Sequence, residues 1–168
     1  MEPFYARLGD QLSLYVRALA WLHAAPRPPA NAKRPARPDA PPPESRLERM
    51  KRAGSQPQMP PNPMPHIIER LFEIGLTEAV GMGVGPISWA TINAWQQAVM
   101  VTLPPWEARL LRRLSADYVA ENRLAEDEGR PPPWRTDLTA RDRVAVGARI
   151  SAAFRAMASA PPALEQRV

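Results

Sequence analysis

The chain predicts an all-α fold, and three observations carry that prediction. Apolar residues recur at three- and four-residue steps along several stretches. Ser, Pro and Gly stand where such stretches would start and stop. No stretch sustains the period-two alternation of a strand. The expected order is an N-terminal amphipathic helix (1–24), a Pro-rich basic linker (25–64), a small helical interaction domain (65–128), a C-terminal helix (129–160) and a disordered tail (161–168).

Residues 4–24 carry Phe4, Leu8, Leu12, Tyr15, Leu19 and Leu22 on one helical stripe, with Arg7, Asp10, Gln11 and Arg17 largely off it. Gly9 weakens this helix by about 1 kcal/mol relative to alanine. Two placements are open. The helix docks on the C-terminal domain or on a second copy, or it is bait for a partner's groove.

Proline dominates residues 25–64. Of 22 prolines, 13 lie from Pro26 to Pro65, and proline donates no backbone hydrogen bond. This stretch reads as an extended tether, with a short helical turn over Ser45–Ala53 capped by Ser45 and ended by Gly54. The net charge of +5 is concentrated here. Arg27, Lys33, Arg34, Arg37, Arg46, Arg49, Lys51 and Arg52 face only Asp39, Glu44 and Glu48. Such an arm keeps a tether soluble, or makes weak nucleic-acid contacts through Arg27–Arg52.

Order is expected to resume at Pro65, a first helical position, with Ile67, Ile68, Leu71, Phe72 and Ile74 as an apolar face closed by Gly75. Gly81, Gly83 and Gly85 predict a loop with several unusual φ values. Ser88 is a good N-cap for a helix carrying Trp89, Ile92, Trp95 and Val99. That helix ends near Val101, because Leu103 precedes Pro104. Thr102 is expected to cap the next one, with Pro104 and Pro105 in its first turn and Trp106, Leu110, Leu111, Leu114 and Tyr118 on its stripe. Gly129 and Pro131–Pro133 end it, and a last Ala-rich helix is expected over about 138–158.

The residues offer little catalytic chemistry. There is no cysteine, which excludes disulfides and thiolate sites. No apolar run approaches bilayer-spanning length, and the N-terminus does not read as a secretory signal, so a cytoplasmic location is expected. His23 and His66 lack carboxylates at metal-ligand spacing. Glu126-Asp127-Glu128 reads as a solvated helix end, and Arg109, Arg112, Arg113 and Arg123, interleaved with Glu107, Asp117 and Glu121, as a solvated face. No catalytic set, metal site or cofactor is expected. The better lead is aromatic: Trp89, Trp95, Trp106, Trp134 and Tyr118 are the candidate partner-binding residues. Trp89 and Trp106 are expected to staple the two helix starts into the core, leaving Trp95 or Trp134 as the surface anchor.

The order Gly83-Val84-Gly85-Pro86-Ile87-Ser88-Trp89, then Ile92 and Trp95, then Leu103, Trp106-Glu107, Leu110-Leu111, Leu114 and Tyr118 resembles the small helical domain of tailed-phage tail assembly chaperones over roughly residues 66–122. The resemblance implies a non-catalytic protein of the bacterial cytoplasm, or one associated with the virion. It also implies a tape-measure protein and tail-tube subunits as partners. The N-terminal helix, the Pro-rich insertion and the stretch after Gly129 depart from the short forms of that family.

Overall fold

Local chemistry starts and stops the helices. The computed structural model describes residues 2–27 and 43–134, with side chains from residue 6 onward; the helix expected over 138–158 and the tail lie outside them. The elements are α1 (Glu2–His23), α2 (Arg46–Arg52), α3 (Pro65–Ile74), β1 (Glu78–Val80), β2 (Gly83–Gly85), α4 (Trp89–Ala98) and α5 (Pro105–Leu124). Ser45 caps α2 in a reciprocal capping box with Glu48. Pro65 opens α3, and Gly75 closes it at φ 111°. The Ser88 hydroxyl caps α4 by accepting from the Thr91 N–H. Thr102 does not cap α5. The N-cap is Pro104, with no side-chain bond, because fixed proline φ already presets the helical entry.

The expectation of a purely helical domain needs one amendment. Residues 78–85 form a two-stranded antiparallel hairpin in the register Glu78↔Gly85, Ala79↔Val84, Val80↔Gly83. Of the three glycines in this loop only Gly81 has a positive φ, 58°, and Met82 does not share it. That is the pattern of a two-residue II′ hairpin turn. Gly85 serves differently: a Cβ there would sit 2.6 Å from Val80 Cγ2, so glycine lets Val80 lie diagonally across the ribbon.

The core joins the two long helices. Leu12, Val16 and Ala20 of α1, Ile67, Ile68 and Leu71 of α3, Ile87, Ile92 of α4, Leu103, and Leu111, Leu114 and Tyr118 of α5 form one cluster. Burying each large aliphatic contributes roughly 1.5–3 kcal/mol. Of the two placements open for the N-terminal helix, the chain adopts docking on α5. Asp10 pairs with Arg113, Ser13 with Asp117 and Arg17 with Glu121, at a nearly constant separation of 103–104 residues. The partners ascend together, so α1 and α5 run parallel. Parallel neighbours need a long return connection, and the intervening elements supply it.

That return path is not tether throughout. Arg46 is 7% exposed; it donates to the carbonyls of Ala125 (2.6 Å) and Asp127 (2.7 Å) and lies 4.6 Å from the Trp21 ring centroid. A cation is thereby set on the negative end of α5. The Arg27 N–H donates to the Glu126 carbonyl, and the Arg46 N–H to that of Ala24. Arg49 pairs with Glu128. The acidic end of α5, expected to be merely solvated, therefore meets the basic residues of the supposed tether, and opposite charge at a helix terminus explains why. Arg27 and Arg46, on either side of the Pro-rich segment, both meet the backbone at this one helix end.

Candidate interaction surface

Glu78 ties the hairpin to the start of α4. Its carboxylate accepts from the Ser88 N–H (2.8 Å) and the Thr91 hydroxyl (2.6 Å). Those bonds, Thr91 first and Ser88 next, hold the carboxyl below its ordinary pKa. Ser115, buried in α5, accepts from the Ile87 N–H and donates to the Leu76 carbonyl, fixing the two ends of the hairpin segment against α5. Arg123 donates to the Val84 carbonyl on the outer side of β2. This scaffold holds up side chains that do not bury. Val80, Met82 and Val84 are more than half exposed. Trp89 is 46% exposed, with the Arg112 guanidinium 5.5 Å from its ring centroid. At the other end of α4, Val99 and Met100 are also exposed. Met100 holds a φ of 56°, a left-handed conformation uncommon outside glycine and asparagine.

The tryptophan roles are largely the reverse of those expected. Trp89 and Trp106 are exposed, while Trp95 is half-buried and packs against the core. Trp89 and Trp95 each lie three residues from Ile92, so helical periodicity treats them alike. The neighbouring helices take Trp95 and leave Trp89 outside. In α5 the buried first-turn residue is Glu107, paired with Arg70, and Leu103 fills the core just before the helix; Trp106 is displaced to the rim. Trp134 is half-buried and shares a cavity lining with Trp21, Met50 and Pro133. Tyr118 is 8% exposed, and its hydroxyl lies 3.0 Å from His23 Nδ1. It packs in the core cluster. The five candidates therefore do not form one site; of them, Trp89 directly follows Ser88, whose N–H Glu78 ties to the hairpin.

Reading the sequence missed Glu78, Ser115 and Arg46. Ser115 had no signal beyond a polar residue beside the apolar stripe of α5. Arg46 followed a good N-cap, which marked a helix but not what its guanidinium would cap. Arg27, Arg46, Arg49 and Arg52 of the basic arm are all engaged with acidic side chains or carbonyls, which leaves Lys51 as the arm's free cation among the described residues.

Among the described residues no group of three His, Asp or Glu side chains is placed to hold a metal ion, and no helix is long and apolar enough to cross a membrane. No family model, curated protein or solved structure matches the chain.

Proposed function

We propose that this chain is a non-catalytic assembly factor of the phage tail assembly chaperone kind, which holds an apolar segment of a partner on the hairpin and the start of α4. The observation that supports it most is the exposure of Val80, Met82, Val84 and Trp89 on elements anchored by buried or charge-assisted hydrogen bonds. Exposed large apolar side chains on a fixed scaffold suit a protein interface, where a tryptophan backed by an arginine is a favoured anchor. The partner's identity, a tape-measure protein with tail-tube subunits, rests on the resemblance of residues 66–122.

The test is an affinity capture of the full chain from nuclease-treated producing lysate at moderate salt, beside a Trp89→Ala variant. The reading expects tape-measure or tail-tube subunits with the parent and at least tenfold less with the variant, a change of about 1.4 kcal/mol. Recovery only of nucleic-acid-associated proteins, lost on nuclease treatment, would overturn it in favour of the basic arm.

A further inference from the structure

A second surface, away from the hairpin, carries both halves of a complementary contact. On the outer side of α3, Phe72 is 49% exposed. Glu69 and Glu73, one turn before it and next to it, are exposed and belong to none of the ion pairs among the described residues. This is an aromatic knob flanked by two uncompensated carboxylates. Between the first halves of α1 and α5 lies a groove of about 270 Å³ lined mainly by Leu8, Met64, Trp106, Leu110 and the cations Arg109 and Arg113. Arg113 already pairs with Asp10, but Arg109 is exposed and has no carboxylate partner among the described residues. The groove is large enough to admit an aromatic ring, since a cavity of about 150 Å³ accepts benzene, and Phe72 of the same copy does not line it.

We propose that Phe72 of one copy seats in the Leu8–Met64–Leu110 groove of a second copy, with Glu69 and Glu73 meeting Arg109. Charge complementarity selects the occupant, because this chain carries both the unpaired acids beside an apolar knob and the unpaired base beside an apolar hole. Knob and groove are different patches, so a contact that engages one of each per pair is heterologous and propagates head to tail into a ring or an open chain. One seated side chain with three charges makes a small interface, so the association is weak and weakens further with salt. The contact is independent of whatever binds the hairpin surface.

Sedimentation velocity on the full chain, from about 10 to 300 µM at low and high salt, tests this. The parent is expected to gain mass with concentration and lose it with salt. Phe72→Asp and Arg109→Glu each weaken self-association at least tenfold. An equimolar mixture of the two variants forms a one-to-one heterodimer, because each keeps the half that the other has lost. Glu73→Arg also weakens it, and combining Glu73→Arg with Arg109→Glu in one chain restores it. All the altered side chains are exposed, and thermal melts check that the fold is kept. A parent that stays monomeric over the range overturns the proposal. So does association insensitive to Phe72→Asp, or two monomeric variants that fail to pair when mixed.

Discussion

The seam between α1 and α5 and the edge formed by the hairpin and α4 use similar residues for opposite ends. Along the seam, apolar side chains are buried and every step is stitched by polar pairs: Asp10–Arg113, Ser13–Asp117, Arg17–Glu121, and the Asn122 amide on the Ala20 carbonyl. At the edge, polar groups hold only the backbone frame, and Val80, Met82, Val84 and Trp89 are left outside. Hydrophobic residues at helical or strand spacing therefore mean stability in one place and availability in the other. What separates them is whether a second element covers the face.

Breaking the seam should cost most. Glu121 is 2% exposed and receives Arg17 (2.9 Å) and Arg130 (3.0 Å). Burial pushes its pKa up, but the hydrogen bonds from Arg130 and Arg17 outweigh it and hold the carboxyl below its ordinary value. Glu121→Ala is expected to lose about 2–3 kcal/mol, read by urea denaturation. Arg46→Ala, which uncaps α5, should cost about 2 kcal/mol, and Arg46→Lys should not restore it, since an ammonium cannot fork to both carbonyls. A loss under about 0.5 kcal/mol in either case would show that the seam is held by its apolar core alone.

Acid sharpens the same contrast. His23 is held below its ordinary value by burial and by Lys51. It is neutral in the fold and takes a proton more readily when unfolded, so stability falls as pH drops below about 6.5. The depressed carboxyls of Glu121 and Glu78 contribute stability that is present above about pH 4.5 and lost as pH falls through their lower folded values. The melting temperature should therefore fall in two stages on acidification, and His23→Gln should remove the first. A single carboxylate-range transition in the parent would exclude the His23 contribution.

Edge changes should act locally or slightly. Glu78→Ala should speed amide hydrogen exchange across 78–88 while leaving that of α1 and α5 unchanged. Trp89→Ala should move global stability by less than about 0.5 kcal/mol, in contrast to its effect on partner capture. A small gain, opposite in sign, is expected at Gly9, where an added Cβ meets Arg113 and Leu110 at ordinary contact distances of 3.5 and 3.6 Å. Gly9→Ala should stabilise α1 by about 0.5–1 kcal/mol.

Helix boundaries were legible in the bare chain, because caps act within one turn. Ser45, Gly75 and Ser88 each meet a backbone group three or four residues away, and Pro65 supplies its fixed φ at the first helical position. The remaining features needed the folded chain. The parallel run of α1 and α5 depends on pairs more than a hundred residues apart. The hairpin over 78–85 is too short for a visible alternation, and its glycines resemble a loop's until Glu78 and Ser115 fix its ends. The exchange of roles between Trp89 and Trp95 follows from which neighbour covers α4, and the burial of Arg46 from where α5 ends. Local propensity fixes what a segment becomes; which of its faces meets water is set by partners distant along the chain.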